Sequence, residues 1–348
     1  VLAVRYRERN AKGDWVGGPM YYIKNGLGKK WMWLAYLYAF FGVCAVFGTG
    51  NATQVNTITA AVNTALINYG LLSVDSTAGS NLIIGIFICI IVALILIGGV
   101  KRIGKVTEKL VPLMALLYVI LGIGMIVLRL DKLPAVFGSI FSGAFQPAAV
   151  TGGVVGSFFL AMQKGFARGI FSNEAGAGTA AMVHCGAKVD HPVEQGLWGA
   201  VEVFLDTVLV CLVSALTIVL SGLWNTGLDG AVLTTRAFEV MLPGKIGAYI
   251  CLGAIFLFGF SCLISFYTYA ERGAVFIFGP KSRFWVKLIW VGMIFVGSQT
   301  TLGFAWDLAD TINGLMIIPN LIGLLLLSNQ VVKLKKEYFA DRLPARKH

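Results

Sequence analysis

Residues 82–97 read Leu-Ile-Ile-Gly-Ile-Phe-Ile-Cys-Ile-Ile-Val-Ala-Leu-Ile-Leu-Ile, and no charged residue interrupts the run from 82 to 100. A run of about 20 apolar residues matches the thickness of a bilayer core crossed by one helix. Its hydrophobicity extends all round, which leaves no face for water. The whole chain has the same character. Of 348 residues, 57% are hydrophobic and only 13% charged, and the mean hydropathy is +0.79. Soluble domains carry about 25% charged residues. An ordinary soluble or disordered chain is therefore excluded, and the lipid bilayer is the expected surrounding.

Seven further apolar spans lie at 31–67, 110–128, 151–187, 197–222, 246–279, 284–302 and 311–332. With 82–100 they predict eight crossings. The segment 231–242 is short and amphipathic, as a surface helix or re-entrant piece would be. Positive charge orients the whole. If residues 5–30 are cytoplasmic, only Arg129, Lys132, Arg236 and Lys245 of the 28 Lys and Arg fall on the opposite side. Cytoplasmic loops of membrane proteins are enriched in just this way. Both ends are then expected inside the cell, with 333–348 as a basic cytoplasmic tail. The net charge of +11 reads as membrane orientation, not as nucleic-acid binding.

The chain opens on Val1-Leu2-Ala3-Val4 and then Arg5-Tyr6-Arg7. That resembles the last turn of an apolar helix, so 1–30 is read as a helix end followed by a cytoplasmic loop. Residues 1–348 are expected to form a single transmembrane domain lacking N-terminal helices. Six scattered cysteines with no CxxC pair argue against disulfides and structural zinc. The spacing of His184, Cys185 and His191 fits no common zinc pattern. No nucleophile–base triad or hydrolytic carboxylate pair stands out.

Polar residues inside apolar spans mark helix packing or function. One cluster is Gly48-Thr49-Gly50-Asn51-Ala52-Thr53-Gln54. Asn51 and Gln54, three apart, share a face of a regular helix. An amide both donates and accepts, which suits a zwitterion and equally suits interhelical bonding. The second cluster runs from Gly152 through Gln163-Lys164-Gly165-Phe166-Ala167-Arg168-Gly169 to Ser172-Asn173-Glu174-Ala175-Gly176-Ala177-Gly178. Each glycine weakens a helix by ~1 kcal/mol. A break at membrane depth is tolerated where it lines a cavity. Residues 151–163 are read as a membrane half and 164–190 as cytoplasmic gate structure, against the alternative of an ordinary loop at the membrane edge. The third is Phe260-Ser261-Cys262-Leu263-Ile264-Ser265-Phe266-Tyr267-Thr268-Tyr269. Its hydroxyls can complete a hard-cation site or bond back to their own helix. Asp206, in mid-span, suits ion coupling or pairing with a neighbouring helix.

Several blocks are recognisable together. They are Gly17-Gly18-Pro19-Met20-Tyr21-Tyr22-Ile23, Arg168-Gly169-Ile170-Phe171-Ser172-Asn173-Glu174-Ala175-Gly176, and His191-Pro192-Val193 with Gln195-Gly196-Leu197 and Asp206-Thr207. Trp306-Asp307-Leu308-Ala309-Asp310 and Gly314-Leu315-Met316-Ile317-Ile318-Pro319-Asn320 follow. In this order, across essentially the whole chain, they resemble the alanine/glycine:cation symporter family. The resemblance implies an all-α polytopic membrane protein with a leucine-transporter-like inverted-repeat fold. The eight spans then correspond to core helices 3 to 10. It implies symport of small neutral amino acids with Na⁺, sometimes H⁺, across the plasma membrane by alternating access, with no cofactor beyond the coupling ion.

The resemblance also places residues. Gln54 and Asn51 would face the substrate from core helix 3, and Phe159, Met162 and Gln163 from core helix 6. Phe266 would cap the pocket from core helix 8, where family members usually carry Trp. Ser261, Cys262 and Ser265 would lie at the ion, with Cys262 standing where a Thr is usual. The smaller cap would admit a somewhat larger side chain, and Cys262 removes one hard oxygen. The absence of core helix 1 leaves a non-transporting membrane scaffold or sensor as the alternative.

Overall fold

The computed structural model describes residues 1–73, 76–145, 156–228, 230–242, 246–300 and 302–342. A single turn α1 (Leu2–Arg5) leads into the hairpin β1 (Glu8–Arg9) and β2 (Trp15–Val16), and then α2 (Pro19–Tyr22). The first crossing joins α3 (Met32–Phe47) to α4 (Thr53–Asn68) through a π turn at Gly48–Ala52. Next come α5 (Thr77–Ile97), α6 (Gly99–Val127), α7 (Leu133–Phe145), α8 (Gly156–Asn173) and α9 (Thr179–His184). A second π turn, Phe204–Val210, joins α10 (Pro192–Val203) to α11 (Cys211–Ser221). The chain closes with α12 (Gly230–Met241), α13 (Ile246–Phe278), α14 (Ser282–Gln299) and α15 (Leu302–Arg342).

Among the described residues, six stretches are long and apolar enough to cross a membrane. They are Lys29–Asn68, Thr77–Ile97, Arg102–Val127, Pro192–Ser221, Gly247–Phe278 and Trp306–Ala340. Each coincides with one of the eight predicted spans. The other two correspond to α8, which carries Lys164 and Arg168, and α14, which carries Arg283 and Lys287 near its start. Residues 151–155 of the predicted fourth span lie outside the described residues. The protein is an all-α, multi-pass membrane protein. The amphipathic segment 231–242 is α12, which turns Thr235, Ala237, Phe238 and Met241 inward.

The helices pack as membrane helices do. On α5, Gly85, Ile88, Val92 and Leu96 are buried, whereas Ile83, Phe87, Leu94 and Ile97 are more than half exposed. Large apolar side chains in such numbers on an outer surface fit lipid and not water. The main core joins Ile58, Ile88, Val92, Leu263, Ile264 and Trp290 across α4, α5, α13 and α14. The Trp290 indole N–H donates to the Leu263 carbonyl at 3.2 Å. In lipid, close approach and hydrogen bonds discriminate helix partners better than apolar burial does. Gly50 shows the first: a Cβ there would lie 2.3 Å from Cβ of Phe266. Asn56 shows the second, its amide donating to the carbonyl of Thr300 beyond the end of α14. Asn63 donates to Asn81 Oδ1 at 2.6 Å and accepts from the Ser80 hydroxyl at 2.6 Å, which clamps α4 to α5.

The N-terminal segment is anchored. Leu2, Met20, Tyr22 and Ile23 share a second core with Tyr38, Met182 and Met316. Arg7 donates to the carbonyls of Cys185 at 3.0 Å and Ala187 at 2.7 Å. The Tyr38 hydroxyl donates to Ala177 O at 2.9 Å, and the Asn320 amide to Gly176 O at 2.7 Å. The glycine-rich loop after α8 is thereby tied to α3 and α15.

Candidate functional site

The π turn carries the first polar cluster. Such turns release backbone groups and concentrate at functional sites. Here the freed Thr49 carbonyl accepts from the Thr53 hydroxyl at 2.7 Å and from the Gln54 amide at 3.0 Å. Asn51 is fully buried. Its Nδ2 donates to the Trp290 carbonyl at 2.9 Å, and its Oδ1 is buried without a partner. Buried polar atoms are normally satisfied, so this oxygen is an exception among the buried side chains. Asn51 and Gln54 meet different surroundings. The π turn advances each residue by a smaller angle than an α-helix. Asn51 points into the packing against α14, and Gln54 into a cavity.

That cavity holds about 430 Å³ and is bordered by Gln54, Thr57, Tyr118, Ser214, Phe258 and Trp306. The Tyr118 hydroxyl and Ser214 Oγ are hydrogen-bonded to each other at 2.6 Å in its wall. The wall is mostly apolar with a few convergent polar groups, as small-molecule sites are. Six helices meet there: α4, α6, α11, α12, α13 and α15.

The other residues singled out by sequence fall in three places. Phe266 covers Gly50 and meets the Tyr269 ring at 5.0 Å, beneath the π turn. Ser261 is buried, and its hydroxyl donates to the Phe258 carbonyl at 2.8 Å. Cys262 and Ser265 are half-buried on the same helix. Phe159, Met162 and Gln163 are exposed on α8 and do not border the Gln54 cavity in this arrangement. Among the described residues of α8, Arg168 and Phe171 contact Trp306 at the cavity border.

A second, polar cavity of about 240 Å³ lies between α8, α9 and α10. Asp206 accepts from the Ser172 hydroxyl, which is pairing with a neighbouring helix. His184 pairs with Glu202 at 2.9 Å. Glu174 accepts from the Thr179 hydroxyl at 2.5 Å, and burial pushes its carboxyl above the usual range.

Sequence reasoning missed Tyr118, Ser214 and Trp306. The first two are lone hydroxyls in apolar spans. Trp306 opens a recognised block yet carried no assigned role, because it falls between the predicted spans 284–302 and 311–332.

A family model described as the sodium:alanine symporter family matches residues 1–348. The chain belongs to the sodium:alanine symporter family. An uncharacterized transporter of Haemophilus influenzae is 40% identical over 342 residues, covering 97% of this chain and 72% of the relative. The sodium/alanine symporter AgcS of Methanococcus maripaludis is 37% identical over 347 residues, with the same coverage of 97% and 72%. The probable sodium/glutamine symporter GlnT of Bacillus subtilis is 35% identical over 343 residues, covering 97% and 67%. As a member of the sodium:alanine symporter family, this protein is a membrane transporter of the amino acid:cation symport class, not an enzyme. The chain spans 72% of the length of each of the first two of these relatives.

Proposed function

We propose that this symporter carries small neutral amino acids, alanine and glycine, into the cell together with Na⁺. The observation that carries this reading is the Gln54 amide at the edge of a partly polar cavity, on a helix unwound into a π turn. The amide oxygen suits the substrate ammonium. Asn51, one turn away, offers an unused oxygen beside the same break. Ser261, Cys262 and Ser265 on α13 form the ion side of the proposal, with H⁺ as the less favoured coupling ion. Two hydroxyls and a thiol are a poorer set for a hard cation than three hydroxyls.

In this proposal the protein has a leucine-transporter-like inverted-repeat fold with eight crossings, sits in the plasma membrane and keeps both ends in the cytoplasm. Helix α8 moves, and its closure brings Phe159, Met162 and Gln163 toward the substrate. Uptake of radiolabelled alanine into proteoliposomes tests the whole. An inward Na⁺ gradient should drive accumulation, and K⁺ in its place should not. Equal uptake in both would remove Na⁺ coupling. Gln54→Ala should abolish uptake with the protein still folded and monodisperse; retained uptake would remove Gln54 from the site.

A further inference from the structure

Trp306 borders the Gln54 cavity on one side and is gripped on the other. The Arg168 guanidinium lies 4.7 Å from the centre of its ring, and the Phe171 ring lies 5.0 Å away. Arg168 also pairs with Asp310, four residues after Trp306 on α15. Residues three and four apart share a helix face. One face of α8, carrying Arg168 and Phe171, therefore clasps one face of α15, carrying Trp306 and Asp310. A charged residue in such a setting needs a partner. Here the partner is placed so that the planar guanidinium rests on the indole.

We propose that Trp306 is the wall that limits the size of side chain the cavity accepts, and that Arg168, fixed by Asp310, is its positioning residue. This rests on the reading of the Gln54 cavity as the amino-acid site. An ammonium would satisfy Asp310 but could not stack flat on the indole, so Arg and Lys are not equivalent here.

Two readouts test it, one of them independent of transport. A cysteine at Thr57, inside the cavity, is labelled with a membrane-impermeant maleimide applied to each face in turn. Labelling is scored above the background of the native cysteines. Arg168→Gln and Asp310→Asn should each raise its rate roughly three- to tenfold, since an exposed ion pair and a cation–π contact each weigh a few fold on such an equilibrium. Arg168→Lys should resemble Arg168→Gln. The second readout is competition of alanine uptake by glutamine and leucine. Trp306→Ala, or Trp306→Phe where the larger truncation fails to fold, should improve the larger competitors relative to alanine by about tenfold or more.

Unchanged labelling together with unchanged competition would overturn the proposal. A lysine variant that behaves as wild type would overturn the positioning role of Arg168. If labelling rises as expected but the wild type transports no alanine, the wall stands and the substrate reading falls.

Discussion

At the scale of the residue, a missing Cβ is as informative as a side chain. Gly50 leaves room for Phe266, and Gly50→Ala would press a methyl against that ring. Over-packing of this kind costs about 1–3 kcal/mol. Gly50→Ala should lower the thermal unfolding midpoint in detergent, and adding Phe266→Ala should restore part of the loss. Strict additivity of the two changes would mean that the pair does not interact. Glu174 gives a second expectation. Burial raises its carboxyl, so the folded state holds the proton more tightly than the unfolded chain. Its contribution to stability is therefore full at acid pH and fades as pH rises through the raised range. Thermal midpoints should fall on going from about pH 4 towards about pH 7, and Glu174→Gln should flatten that slope. Asn51 and Gln54 were legible in the sequence because amides are conspicuous in an apolar run. Tyr118 and Ser214 were not, because their meaning comes from meeting each other at 2.6 Å across two helices 96 positions apart.

At the scale of the element, the spans were legible wherever hydrophobicity was unbroken. The ends and the breaks were not. A long apolar run from 31 to 67 does not announce that Gly48–Ala52 will wind as a π turn. That outcome depends on Asn51 finding the Trp290 carbonyl and Gln54 finding Thr49. Helix α4 is held by amides on one side: Asn56 to the end of α14, and Asn63 to α5. Asn63→Leu leaves the Asn81 and Ser80 partners unsatisfied, and a group so stranded costs about 1–3 kcal/mol. A lower midpoint in Asn63→Leu, partly recovered when Asn81 is also replaced by Leu, would verify the clamp. No loss in the single variant would refute it.

At the scale of the whole molecule, charge decides orientation. Only four of the 28 Lys and Arg lie on the side proposed to be external. A cysteine placed at Asn225, between α11 and α12, should react with an impermeant maleimide on intact cells. One placed at Lys30 should react only after the membrane is opened. The reverse pattern would invert the topology. The family was legible from blocks scattered across the chain, yet the Gln54 cavity was not, since it gathers residues from six helices. The π turn bears on how the first crossing responds to change. Its buried positions before the turn are Leu34, Ala35, Tyr38, Ala39, Gly42, Ala45 and Val46; after it they are Thr53, Val55, Asn56, Ile58, Thr59, Ala61 and Asn63. The two sets belong to different phases of one helical rhythm. A tolerance scan along 32–68 should show two regular waves of sensitivity with a slip of beat at 48–52, and the residues in the slip are those that answer to neither wave.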